Sequence, residues 1–186
     1  MRIDFIFPSN NEKEFIEIAE KLDYDELYFV YKNKKDAANL EELQKNTKIK
    51  LNIALIQHFK RVKKEDDTLI LVKAAEDNRY VLEKTKADII FAFEETGRRD
   101  FIHHRDSGLN HILCAIAKEK GKTIGFSFNS ILGSEGMLRA QIIGRMIQNI
   151  ELCRKYKVNT MIASFAAAPY EMRGWHDLKS FFELLR

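Results

Sequence analysis

The sequence predicts an α/β fold, a compact (β/α)8 TIM-type barrel with some units abbreviated. Three observations lead there. Short apolar runs alternate with longer amphipathic segments along the whole chain. The short runs are β-branched or aromatic and apolar on both faces, as strands of a parallel sheet covered on each side must be. Eight such runs occur in 186 residues, a short chain for this barrel, which commonly takes ~250 residues.

The eight runs are Ile3–Phe7, Leu27–Tyr31, Leu51–Ile56, Leu69–Val72, Ile89–Phe93, Phe101-Ile102, Thr123–Phe128 and Met161–Ala163. Between them lie six helical patterns. Residues 12–22 align Phe15, Ile16, Ile18, Ala19 and Leu22 behind the caps Asn10 and Asn11. Residues 36–45 align Ala37, Leu40 and Leu43, and residues 76–86 turn Val81 and Leu82 inward. Residues 107–120 carry Leu109, Ile112, Leu113 and Ile116 at i, i+3, i+4, i+7, with Gly121 as the stop. The longest, 136–157, turns Leu138, Ile142, Met146, Ile150 and Cys153 inward, and 176–185 closes the chain with Leu178, Phe181, Phe182 and Leu185. The stretches after the third and fifth runs show no long helix, so the abbreviated units belong there. An open doubly wound sheet is the runner-up. The turn after the first run, Phe7-Pro8-Ser9-Asn10-Asn11, lacks the glycines of its nucleotide-binding form.

No low-complexity stretch or linker interrupts the pattern, so residues 1–186 are read as one domain. Hydrophobic residues make up 45 % and charged residues 32 %, which excludes wholesale disorder. Cys114 and Cys153 stand in helical surroundings without a metal-binding or disulfide-framework spacing. No apolar run approaches a membrane span, and an acid at Asp4 falls where a signal peptide would be apolar. These features predict a reducing, cytoplasmic compartment and no membrane partner.

Charge is uneven. Residues 1–93 hold 17 basic and 18 acidic side chains, whereas residues 96–186 hold 14 and 8. A polyanion is expected on the second half. In a barrel of this kind, ligand groups follow the strand ends. Those positions give Lys60 and Arg61 after the third run, Lys73 after the fourth with Arg79 six residues on, and Arg98 and Arg99 after the fifth. His104 and Arg105 follow the sixth, and Arg173 follows the eighth. Such a basic rim suits a phosphate backbone, and arginine forks suit bidentate contact with it.

A metal centre would need clustered His and carboxylate ligands. Adjacent His103 and His104 would point to opposite faces of a strand, no His-x-His pair occurs, and His104 with Glu94 is a bare pair. Ser107 near His104 and Asp106 reads more simply as part of a helix cap. The segment His104-Arg105-Asp106-Ser107-Gly108-Leu109-Asn110-His111 joins a strand end to a helix start, where free N–H groups and the helix dipole favour an anion. Gly108 would allow close approach, Arg105 would add donors, and Asn110 and His111 project from the same end; the same residues read equally well as a capped helix start with a buried polar network.

That segment, followed by Ala117-Lys118-Glu119-Lys120-Gly121 and Ile124-Gly125-Phe126-Ser127, resembles the archaeal ribonuclease P protein component 3 family, counterpart of the eukaryotic thirty-kilodalton ribonuclease P subunit. Arg139, the Cys153-Arg154-Lys155-Tyr156-Lys157-Val158 stretch before Ser164, and Arg173-Gly174 before Asp177-Leu178 are similar too. The match covers about residues 100–180. It departs at His103, where Asp is usual, at Asp106, where Asn is usual, and at Ala166-Ala167-Ala168-Pro169, where a Ser-rich segment is usual. The last departure argues against a ligand role for that loop.

The resemblance implies a PHP-like barrel without its metal centre. It implies a subunit of ribonuclease P, which removes the 5′ leader from precursor tRNA. On this expectation the ribonuclease P RNA carries the Mg2+-dependent cleavage, and this chain holds no cofactor and no catalytic residue. It would bind that RNA and a second small protein subunit, and meet precursor tRNA indirectly. Arg98, Arg99, His104, Arg105, His111, Lys60, Arg61, Lys73 and Arg173 would contact RNA. The alternatives are a stand-alone metal-dependent PHP-type phosphoesterase and a scaffold that touches only protein.

Overall fold

The structure, a computed structural model, describes residues 1–37, 39–64, 67–95, 100, 101, 103 and 105–186. Its strands are β1 (Ile3–Ile6), β2 (Glu26–Tyr31), β3 (Lys50–Ile56), β4 (Leu69–Lys73), β5 (Ile89–Phe91), β6 (Thr123–Ser127) and β7 (Asn159–Ala163). All pair in parallel in sequence order, β1 to β7. The helices are α1 (Glu12–Lys21), α2 (Leu40–Gln44), α3 (Asn78–Lys84), α4 (His111–Glu119), α5 (Phe128–Leu132), α6 (Gly136–Tyr156) and α7 (Trp175–Leu184).

The TIM-type barrel expected from the sequence forms, but with seven described strands rather than eight. Phe101 lies in irregular backbone with 61 % of its surface exposed, and Ile102 falls outside the described residues. Among the described residues Phe101 pairs with no strand. The fifth unit therefore runs from β5 to α4, and its helix is not missing. Only the third unit, where a 3₁₀ turn at Phe59–Arg61 joins β3 to β4, lacks an α-helix among the described residues.

Alternation sorts the side chains. Phe5, Val30, Ala54, Leu71, Ile89, Phe91, Ala163 and Phe165 form one buried cluster, filling the barrel. Ile6, Leu27, Phe29 and Leu55 pack with Phe15, Ile16 and Ala19 of α1. Val72, Ile90, Ile124 and Phe126 pack with Leu113, Ala117, Met146, Ile150 and Cys153 of α4 and α6. Aromatic rings plug the interior: Phe5 stacks on Tyr28 at 4.6 Å and Phe91 on Phe165 at 4.7 Å. Gly125 in β6 makes room for them, since a Cβ there would stand 3.1 Å from Cβ of Phe91.

Closure between β7 and β1 takes one bridge and one carboxylate. Ile6 bridges Ala166, and Phe7 N–H donates to Ala166 O at 2.8 Å. Beside them Asp4, fully buried, accepts from Ser164 N–H at 2.7 Å, from the Ser164 hydroxyl and from Phe5 N–H at 2.9 Å. Burial nevertheless pushes the Asp4 carboxyl up to about 7.

Helix starts differ from expectation in detail. Helix α4 begins at His111, capped by Asn110, whose side chain accepts from Leu113 N–H at 2.9 Å; neither Asp106 nor Ser107 caps it. Ser127 caps α5, so Phe128 is helical and not the end of a strand. Leu138, expected inward, is exposed, because the whole first turn of α6, residues 136–140, is exposed. Among the described residues no helix is long and apolar enough to cross a membrane.

Candidate nucleic-acid interface

Parallel strands bring every loop that follows a strand to one end of the barrel. At that end, over β4 and β5, lies a broad open cleft of about 1180 Å³. Lys73 closes β4, Arg79 stands on α3, Arg105 precedes α4, His111 opens α4, and Lys155 stands in the last turn of α6; all five line the cleft, together with the carboxylates Glu76, Asp77, Glu95 and Asp106. Lys73 pairs with Glu95 at 2.5 Å, and Arg79 with Glu83 at 3.3 Å along α3. Lys155 rests over the Tyr156 ring at 5.9 Å. The Arg105 guanidinium makes no hydrogen bond or ion pair among the described residues. The amino end of α4 opens into the same cleft, so backbone N–H groups add to the positive side chains.

Helix α6 builds the wall that holds this segment. Gln148 donates to Arg105 O at 3.0 Å and to Ser107 Oγ at 2.7 Å, and Asn149 donates to Ser107 O at 2.8 Å. Gly108 then adopts φ 79°, a left-handed turn suited to glycine, and Asn78 donates to its carbonyl at 3.5 Å. Arg145 is 1 % exposed; its Nε and Nη2 each reach Asp100 Oδ1 at 2.8 Å, and its Nη1 donates to Glu94 O at 3.0 Å. Asp106 N–H donates to the same Asp100 oxygen at 3.0 Å. Burial opposes ionisation of Asp100, but the Arg145 hydrogen bond and its other donors outweigh burial and hold its carboxyl below the usual value.

Under this network Glu94 is fully buried. It accepts from Asn149 Nδ2 at 2.9 Å, and burial pushes its carboxyl up to about 7 against that bond. Glu94 Oε2 and Asn149 Oδ1 have no hydrogen-bond partner among the described residues.

Of the sequence-predicted residues, Lys73, Arg105 and His111 meet in the cleft. Lys60 and Arg61 stand on the exposed 3₁₀ turn after β3, at the same end of the barrel but outside the cleft lining, with Lys60 Nζ 5.4 Å from the Phe59 ring centre. Arg173 belongs to the β7 side, where its guanidinium donates to the carbonyls of Tyr170 and Met172 and braces its own loop. Arg98, Arg99 and His104 lie outside the described residues. The rim is thus a cleft with outlying members, not an even ring. Among the described residues no three of His, Cys, Asp and Glu come together in a group that could hold a metal ion.

Lys155, Arg145, Gln148 and Asn149 were not singled out from the sequence. Two of them carried a signal. Arg145 and Asn149 share the buried stripe of α6 with Ile142, Met146, Ile150 and Cys153, and polar residues on such a stripe need partners.

Fold and site together define a TIM-type α/β barrel with a plugged interior and a polar cleft, lined by both basic and acidic side chains, at the carboxyl ends of its strands. Residues 1–185 match the family model described as RNase P subunit p30, and the chain belongs to that family. Ribonuclease P protein component 3 of Thermococcus kodakarensis is 38 % identical over 76 residues, 41 % of this chain and 34 % of that protein. Its namesake in Methanococcus maripaludis strain C6 is 26 % identical over 170 residues, 91 % of this chain and 64 % of that protein. The aligned part thus spans between one third and just under two thirds of these curated relatives. A chain in the cryo-EM structure of archaeal Ribonuclease P with mature tRNA superposes with a TM-score of 0.82 at 23 % identity, over 99 % of this chain and 82 % of that one. At that identity the likeness speaks for the fold.

Proposed function

We propose that this chain is a protein subunit of ribonuclease P that binds the catalytic RNA and supports removal of the 5′ leader from precursor tRNA. The family match across residues 1–185 carries the reading. The cleft supports it: donors of two kinds, guanidinium and helix-end N–H, face one open surface, as binding of a ribose-phosphate chain requires. Rings fill the barrel, so a small substrate finds no room inside.

On this reading the protein neutralises phosphates and fixes the shape of the RNA, while the cleavage and its Mg2+ belong to the RNA. Arg105, His111 and Lys73 are the central contacts; Lys60 and Arg61, and beyond the described segments Arg98, Arg99 and His104, extend them. Arg173 takes part from the far side of the mouth. A second small protein subunit completes the partnership, precursor tRNA is met indirectly, and the compartment is the cytoplasm.

Reconstitution of precursor-tRNA cleavage with and without this chain, across a salt series, tests the proposal. The chain should raise cleavage by the RNA, and the benefit should fall as salt rises. Arg105→Ala should lower cleavage at moderate salt with the fold unchanged. A chain that cleaves precursor tRNA without RNA would instead favour the phosphoesterase alternative, and a salt-independent benefit would favour the protein-only scaffold.

A further inference from the structure

We propose that Gly144 and Gln148 of α6 are positioning residues that seat Arg105 for contact with an RNA phosphate. The inference rests on the RNA-binding reading of Arg105 and deepens it. Gln148 holds the backbone of Arg105 on both sides. Its Oε1 accepts from Arg105 N–H at 3.3 Å and its Nε2 donates to Arg105 O at 3.0 Å. The same Nε2 reaches Ser107 Oγ at 2.7 Å, so the residues flanking Asp106 are tied to one amide.

Gly144 acts on the other end of the side chain. It lies four residues before Gln148, one helical turn along the same face. The Arg105 guanidinium lies across it: a Cβ at position 144 would stand closest to Arg105 Nε, 2.8 Å from Cζ and 2.9 Å from Nη2. Glycine in the middle of a helix is destabilising relative to alanine, so its presence there calls for a reason. Closeness of the guanidinium supplies one. Because the clashing atoms are the far end of a flexible side chain, alanine would cost the fold little but would turn the guanidinium away.

The outcome is an arginine fixed at its backbone, laid along a helix, with its donors unspent among the described residues. Arginine loses much rotamer freedom when it grips a ligand. Fixing it beforehand lowers what binding must order. Gln148 and Gly144 touch no RNA in this scheme; they act through Arg105.

Binding of the full chain to ribonuclease P RNA, measured across a salt series, tests this with Arg105→Ala, Gln148→Ala, Gly144→Ala and the two double variants that include Arg105→Ala. Arg105→Ala should weaken binding roughly tenfold and reduce the slope of log affinity against log salt by about 1. Gln148→Ala and Gly144→Ala should each weaken binding severalfold and lower that slope, and Gly144→Ala should do so with no drop in melting temperature. On the Arg105→Ala background neither should weaken binding further. Relaxation of the Arg105 Nε–H group by NMR, without RNA, should show an ordered guanidinium in the native chain and a mobile one in both variants. The proposal falls if Arg105→Ala weakens binding while Gln148→Ala and Gly144→Ala do not. It falls too if their losses add in full to that of Arg105→Ala, or if the guanidinium stays equally ordered. Native protein that binds the RNA no better than the Arg105→Ala variant would overturn the RNA-contact reading of Arg105 itself, and the inference with it.

Discussion

The seam of the barrel and the floor of its cleft each bury one carboxyl completely, and in both burial drives it up to about 7. Their surroundings differ. Asp4 at the seam accepts three hydrogen bonds, two from Ser164 and one from Phe5 N–H. Glu94 at the floor accepts a side-chain bond from Asn149 and leaves one oxygen without a partner among the described residues. Asp4 does a ladder's work where β1 and β7 share only a bridge. Glu94 belongs to a network that α6 uses to hold a loop. Equal burial therefore serves closure in one place and loop placement in the other.

Removing a partner from the floor should have the largest effect. Arg145→Ala leaves Asp100 without its buried cation and Glu94 O without a donor, and should cost about 3–5 kcal/mol in denaturant unfolding. A loss under about 1 kcal/mol would mean that the floor is held by packing alone.

Acidity probes both regions at once. Each carboxyl has a folded value near 7, above its unfolded value of about 4, so each contributes stability that is full below about pH 4. That contribution is lost as pH rises through about 7 and amounts to roughly 4 kcal/mol per group. Unfolding at pH 5 and pH 8 should show a fall in stability, and Asp4→Asn and Glu94→Gln should each remove part of it. A native fall that persists whole in both variants would place its origin elsewhere.

The smallest effect is expected at the seam. Ser164→Ala deletes one donor of three and should cost about 1–2 kcal/mol, while its N–H still serves Asp4. Because Asp4 then keeps fewer donors, its carboxyl should rise further, which NMR titration of the side chain would detect.

Much of the fold was legible in the residues. Runs such as Leu69–Val72 and Ile89–Phe91 are apolar on both faces, and only a strand covered on both sides tolerates that. Helical spacing placed Ile142, Met146, Ile150 and Cys153 inward correctly, since period alone fixes which residues share a face. Phe101 misled because local apolarity cannot say whether a neighbouring strand is there to pair. The cap of α4 misled for a similar reason: Asp106, Ser107 and Asn110 are all good caps, and tertiary hydrogen bonds from α6 claimed Ser107.

The site was legible as a composition and not as a shape. Arginine, lysine and histidine at strand ends marked the end of the barrel that bears them, and the His104–His111 motif together with the segments after it pointed to the family. Which cations share a surface depended on how loops from distant positions fold back. Arg105 and Lys155 line one cleft although fifty residues separate them, whereas Arg173 stands on the β7 side, its Nη1 bracing its own loop. Sequence alone thus determined strands, helical faces and kinship, because these follow from local periodicity and from residues adjacent in the chain. Tertiary structure alone decided which carboxyls are buried and which arginine keeps its donors, because burial and hydrogen-bond partnership are properties of what the chain packs against.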